Sequence, residues 1–291
     1  MSDELGTWLE SAKQGDHGAL ARLLTRLERE GWPLVNKLKL FDLPRPALRI
    51  GITGPPGAGK STLVGQLIRQ IRAQQRRLAI LAVDPSSPFS SGAILGDRIR
   101  YNETAVDPDL FIRSLGSRGS LGGLSAAAYL MLRALDAVSF DIVLIETVGV
   151  GQTELEVMNV ADVVVVVLVP ESGDSIQAMK AGLMEIANIF VVNKSDRPGA
   201  ESLKRELEAL GSAKVISTVA TDGQGLSALQ NELGRIEKTI DRRANRQSPA
   251  RLKQEGLSLA RLTWESQVRK KLDPVRTEAD LFQILGALSS F

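Results

Sequence analysis

The residues with the plainest chemistry are Gly54, Gly57, Gly59, Lys60 and Ser61, which satisfy the pattern G-x-x-x-x-G-K-[ST] between a predicted strand and a predicted helix. Glycines at these spacings let backbone N–H groups converge on phosphate oxygens, and the helix N-terminus adds partial positive charge. Lys60 would neutralise β- and γ-phosphate oxygens, and Ser61 would offer its hydroxyl to Mg2+.

A second cluster, Asn193, Lys194, Ser195 and Asp196, ends another predicted strand and fits N-K-x-D. A carboxylate at Asp196 can accept from both the ring N1–H and the exocyclic amine of guanine. Adenine offers neither donor there, and leaving a buried acceptor unpaired can discriminate by as much as 10⁴–10⁵. Asn193 and Lys194 would brace the base loop. A third stretch, Glu146 to Gly149, ends a strand as well: Glu146 could hold the Mg2+ shell, and the Gly149 N–H could sense the γ-phosphate. Asp84 ends the second strand and Asp97 lies in a later loop. Either could complete a magnesium shell, which takes oxygen ligands, or orient the attacking water. His17 is expected at the surface, Trp264 in a core or interface, and Arg269, Lys270 and Lys271 on a solvated face.

These residues need a scaffold that brings strand ends together. Residues 1–46 read as a helix or two and an entry linker, with Leu20, Leu23, Leu24 and Leu27 at helical spacing. Beyond them, segments at 48–53, 78–83, 142–145, 163–169, 189–192 and 214–218 predict strands, most of them apolar without polar alternation. Helical patterns at 60–73, 124–138, 174–186, 200–210 and 225–239 separate them, and 85–108 reads as a long loop region. Such alternation indicates α/β: a P-loop NTPase with a mostly parallel sheet covered by helices on both faces, plus helical N- and C-terminal extensions. The expected organisation is an N-terminal helical segment at 1–46, a nucleotide-binding domain at 47–245 and a C-terminal helical extension at 246–291. The extension holds an apolar-patterned helix at 248–272 and a last helix at 277–289.

Composition narrows the class. Of 291 residues, 43% are apolar and 24% charged, which excludes a disordered chain. The 36 basic residues exceed the 34 acidic ones by two, too little to argue for nucleic acid. With no cysteine there is no thiolate nucleophile and no cysteine-ligated metal. The first ten residues do not read as a secretory signal, and the longest apolar run is far below the roughly 18 residues of a membrane span. A cytoplasmic setting is expected.

With these residues assembled, the chain resembles the MeaB/ArgK/MMAA family of SIMIBI-class GTPases, chaperones of adenosylcobalamin-dependent acyl-CoA mutases. The likeness runs from about Arg49 to Leu229. It is carried by the phosphate loop through Thr62, by Val83 to Phe89 running on to Gly96–Arg100, by Glu146 to Gln152, by Val169 to Asp174, and by Asn193 to Asp196. The resemblance implies GTP and GDP as ligands, contacted by Gly54, Gly57, Ala58, Gly59, Lys60, Ser61, Thr62, Gly149, Asn193, Lys194 and Asp196. It implies Mg2+ held by Ser61, Asp84, Asp97 and Glu146, with Lys60 and the three carboxylates catalytic. It puts a mobile switch at 169–180 and the guanine-contact loop at Val219, Ala220 and Thr221, where Val219-Ala220 replaces the usual Ser-Ala. A backbone contact survives that change. It also implies homodimers through the C-terminal extension. Many Ras-like GTPases carry a water-orienting glutamine directly after the glycine of the second switch. Here that position is Val150, with Gln152 two residues on, so intrinsic hydrolysis is expected to be slow, about 10⁻⁴ to 10⁻² s⁻¹.

Three other readings compete. A nickel metallochaperone of related fold needs Cys and His ligands, and the chain has no cysteine and one histidine. An ATPase or kinase linked to amino-acid transport conflicts with the guanine-type motif at 193–196. A non-catalytic module conflicts with Lys60, Ser61 and Glu146 all being present.

Overall fold

The computed structural model describes residues 2–41, 43, 46–84, 107–116, 126–147, 152–170, 182–211, 213–272, 274, 276, 277 and 280. Seven strands are present: β1 (Leu48–Thr53), β2 (Leu78–Asp84), β3 (Leu110–Gly116), β4 (Ile142–Thr147), β5 (Val163–Leu168), β6 (Ile189–Asn193) and β7 (Lys214–Thr218). They form one sheet in the order β3-β2-β4-β1-β5-β6-β7, and every pairing is parallel.

Alternate residues of each strand serve two separate cores. Ile50, Ile52, Val165 and Val167 face one layer. In it, α4 (Lys60–Ala73) buries Leu63, Val64, Leu67, Ile68 and Ile71, the recurrence of an amphipathic helix. α9 (Leu226–Thr239) joins that layer through Leu226, Leu229 and Leu233. Val164, Val166 and Leu168 face the other layer, which holds α5 (Ala126–Ala137), α6 (Gln152–Val160) and α8 (Ala200–Ala209). The continuous valine run of β5 is therefore that of a strand covered on both faces. The connection leaving β1 runs through α4 on the first face, and the one leaving β4 runs through α6 on the second. Right-handed crossovers in opposite directions place helices on opposite faces, so β1 and β4 flank the switch point of the sheet. Open parallel sheets put their sites at the strand C-termini beside such a point.

Elements not legible in the sequence include β3, α6 and a short helix at Arg242–Arg246. β3 is an edge strand in which Leu110 and Phe111 are buried while Arg113 and Ser114 are half-exposed, so it lacks an uninterrupted apolar run. α6 is short, and among its described side chains Val157 and Val160 are buried. It lies so close to β1 that a Cβ on Gly51 would sit 2.6 Å from Val157 Cγ2 and 3.0 Å from Ala161 Cβ.

The N-terminal segment forms α1 (Ser2–Lys13), α2 (His17–Glu30) and α3 (Trp32–Lys37). Asp16 caps α2 by accepting from the Ala19 N–H at 2.9 Å. Leu20, Leu23, Leu24 and Leu27 are buried in the same core as α5, so this segment packs as part of the sheet's second layer. His17 is half-buried with its ring edge-on to Phe111, centroids 5.5 Å apart, which corrects its expected place at the surface. At the other end lie α7 (Leu183–Ile186), α10 (Arg242–Arg246) and α11 (Pro249–Leu272). α11 buries Leu259 but leaves Leu252, Leu257 and Trp264 exposed. The expected loop at 85–106, most of the helix expected at 174–186 and most of the last helix lie outside the described residues.

Candidate functional site

The loop between β1 and α4 depends on glycine at named positions. Gly54 has φ 140°, and a Cβ there would lie 2.1 Å from the Val167 carbonyl oxygen. Gly59 has φ 86°, and a Cβ there would lie 2.4 Å from Asn193 Nδ2. Only glycine meets both demands, the backbone conformation and the close approach. α4 then begins at Lys60 with no side-chain cap and no carboxylate in its first turn, so its leading N–H groups and its dipole are open to an anion. The buried Lys60 ammonium donates to the Gly54 carbonyl at 2.6 Å and to the Pro55 carbonyl at 3.0 Å, which holds it over the loop. Ala58 is buried beneath the loop, and Thr62 is exposed on the first turn of α4.

The neighbouring strand supplies the carboxylate. The β1–β4 register sets Ile52 opposite Glu146, and Ser61 Oγ donates to Glu146 Oε1 at 2.7 Å. Glu146 is only 2% exposed, so a hydroxyl and a carboxylate oxygen meet in a shielded place beside the phosphate loop. Thr147 Oγ1 donates to Thr53 Oγ1 at 3.1 Å and ties the ends of the two strands. An all-oxygen donor pair fits a hard divalent cation such as Mg2+. Asp84 is the last residue of β2, which pairs with β4 in a register setting Val83 opposite Thr147, so its backbone lies one strand from this pair. The Asp84 side chain, Asp97 and Gly149 lie outside the described residues.

Asn193, at the end of β6, joins the base end to the phosphate end. It is 2% exposed. Its Nδ2 donates to the Ala58 carbonyl at 2.8 Å, and its Oδ1 accepts from the Ala220 N–H and from Thr218 Oγ1, each at 3.1 Å. The Ser195 N–H donates to the Thr218 carbonyl at 3.0 Å. Lys194 takes φ 54° and is half-buried, whereas Asp196 is exposed at the rim. Val219 and Ala220 are buried and Thr221 is exposed. The Ala220 N–H is committed to Asn193, so here it braces the loop. Gly225, at the start of α9, has φ 79°, and a Cβ there would sit 2.0 Å from the Ser217 carbonyl oxygen. The structure thus gathers Lys60, Ser61, Glu146, Asn193, Lys194, Asp196, Val219, Ala220 and Thr221 along one edge of the sheet. It adds Thr53, Thr147 and Thr218, which sequence reasoning missed. Each ends a strand, and nothing in a lone threonine's type marks it as a brace.

Fold and edge together are those of a P-loop NTPase. A crystal structure described as a LAO/AO transport system kinase aligns over 98% of this chain and 97% of its own with a TM-score of 0.67, at 22% identity. The hydrogenase maturation factor HypB of Archaeoglobus fulgidus aligns over 80% of this chain with a TM-score of 0.50, at 19% identity. Both likenesses concern the fold. The family is shown by sequence: the model described as methylmalonyl-CoA mutase-associated GTPase MeaB matches residues 20–274, and this chain belongs to that family. A Pyrococcus horikoshii protein named as a GTPase is 45% identical over 82% of this chain and 78% of its own length. GTPase ArgK of Escherichia coli is 40% identical over 63% of this chain and 57% of its own. The mitochondrial methylmalonic aciduria type A homolog of Mus musculus is 38% identical over 62% and 47%. The protein is a GTPase that binds guanine nucleotide. Among the described residues no helix is long and apolar enough to cross a membrane.

Proposed function

We propose that this chain hydrolyses GTP in a Mg2+-dependent way and uses the hydrolysis to control an adenosylcobalamin-dependent acyl-CoA mutase, of methylmalonyl-CoA mutase type. It gates cobalamin loading and protects or reactivates the mutase. The 2.7 Å contact between Ser61 and Glu146 carries the reading, within a family described as mutase-associated. That pair, with Asp84 and Asp97, would hold Mg2+, whose charge offsets negative charge on the β- and γ-phosphate oxygens. Lys60 lies against the same oxygens. Open N–H groups at the start of α4 orient the phosphates for attack by water on the γ-phosphorus, with the bond to the β–γ bridging oxygen breaking. Asp196 reads the guanine edge, Lys194 flanks it, and Asn193 keeps the base loop and the phosphate loop in one register. The Gly149 N–H reports the γ-phosphate, and 169–180 relays that state to the mutase.

With Val150 in place of a water-orienting glutamine, the mutase completes the site and accelerates turnover. The exposed Leu252, Leu257 and Trp264 on α11 support a homodimer through the C-terminal helix, and the setting is cytoplasmic. The test is GTP hydrolysis with and without each cobalamin-dependent acyl-CoA mutase of the source organism. A tenfold or greater increase with one of them is expected and names the partner. Unchanged turnover with all of them removes the chaperone role and leaves the GTPase standing.

A further inference from the structure

Far from the nucleotide edge, at the N-terminal ends of the strands, a cavity of about 90 Å3 lies where β1, α5, α6, α10 and α11 meet. Among the described residues its wall holds five arginines, Arg49, Arg133, Arg243, Arg246 and Arg251, against two carboxylates, Asp136 and Glu255. Arg133 and Glu255 neutralise one another through paired contacts of 2.6 and 2.7 Å. Asp136 is shared by Arg49 at 2.5 Å and Arg246 at 2.8 Å. Arg243 has a partner of its own and Asp162 behind the cavity takes Arg246 at 2.6 Å, so the positive excess around the cavity comes from Arg251. Two guanidinium nitrogens in this wall, Arg49 Nε and Arg251 Nη1, are buried with no acceptor among the described residues. A buried unmet donor is costly, and more so when it is charged. Burial, with the like charge of Arg246, holds both the Arg49 and Arg251 guanidinium groups below their usual basicity. The first turn of the 24-residue helix α11 also lies at the cavity and carries no carboxylate, so its dipole adds to the positive field.

We infer that this cavity is a second anion site, separate from the phosphate loop, for a small dianionic oxyanion of the phosphate class. Its volume suits one tetrahedral ion, roughly the space of three waters. The anion would accept from Arg251 and its neighbours and fasten α11 to the start of β1, the strand that leads into the phosphate loop. The inference does not rest on the mutase reading.

The test is calorimetric titration of inorganic phosphate into the full chain carrying Mg2+ and a non-hydrolysable GTP analogue, so that the phosphate loop is filled. Saturable binding is expected, with a rise in melting temperature. Arg251→Gln should weaken it about tenfold or more by removing charge-assisted hydrogen bonds, while GTP turnover stays unchanged. Glycerol phosphate distinguishes the two sources. Binding equal to inorganic phosphate assigns the cavity to a phosphate monoester, and binding of inorganic phosphate alone assigns it to the free ion. The proposal is overturned by no binding, or by an equal response to chloride at matched ionic strength. A preference for acetate overturns it too and points to a protein carboxylate. So does phosphate binding that survives Arg251→Gln and disappears in Lys60→Ala, because that reports the phosphate loop.

Discussion

The two ends of the sheet are braced in different ways. At the C-terminal ends of the strands the braces are neutral: Asn193 with Ala58, Thr218 and Ala220, and Thr147 with Thr53. Among the contacts of the ionisable groups there, Lys60 donates to two carbonyls and Glu146 accepts from a hydroxyl. At the N-terminal ends the charges hold each other. Arg49 and Arg246 share Asp136, Arg246 also takes Asp162, and the backbone N–H groups of Ala47 and Arg49 donate to Asp136 and Asp162. Charge used as structural cement is unavailable to a ligand, so at this end only the donors of Arg49 and Arg251 that meet no acceptor among the described residues are left for one. Neutral braces at one end and interlocked ion pairs at the other separate the working edge from the fastened one.

The comparison can be broken by substitution, and the largest effect is expected at the base rim. Asp196→Asn should reduce the preference for GTP over ATP by about 10³ or more, measured as the ratio of binding constants, with melting unchanged. Equal preference in the variant and the parent would remove Asp196 from base reading. Next, Arg246→Ala takes the guanidinium from Asp162, whose side chain is fully buried, and leaves Asp136 with Arg49 alone. A loss of about 3–5 kcal/mol in denaturant unfolding is expected, with nucleotide affinity retained. Glu146→Gln should do the converse, lowering kcat by about 10²–10³ with stability nearly kept. If it destabilises the chain as much as Arg246→Ala does, the two ends do not differ in kind.

The smallest effect concerns His17. Burial, the largest influence, lowers its pKa below 6.5. Folding therefore favours neutral imidazole, and the stability this contributes is present above the unfolded value and lost as pH falls through the folded one. Melting temperatures measured downward from pH 7 should fall less steeply in His17→Gln than in the parent, in the range above that of the carboxylates. Parallel curves would show that the packing against Phe111 has no titration consequence.

Much of the working edge was legible because its chemistry is local. A phosphate cradle needs consecutive backbone N–H groups and glycines at fixed spacing, so Gly54 to Ser61 announce it, as do Asn193 to Asp196 at a strand end. The helix at 60–73 and the strands at 48–53 and 214–218 coincide with α4, β1 and β7: Leu63, Leu67 and Ile71 recur at helical spacing, Leu48, Ile50 and Ile52 alternate, and β7 carries the buried pair Val215-Ile216. β3 and α6 were not legible: one is an edge strand interrupted by Arg113, the other a short helix whose place depends on Gly51 beneath it.

The sequence by itself determined the class of ligand, since residues contiguous in the chain carry both the phosphate loop and the guanine motif. Only the tertiary structure decided which distant groups meet. Ser61 reaches Glu146 across 85 positions, Asn193 reaches Ala58 across 135, and Arg49 reaches Asp136 across 87. No local pattern encodes such pairs. Strand order and register create them, and those follow from packing two helical layers on one twisted parallel sheet.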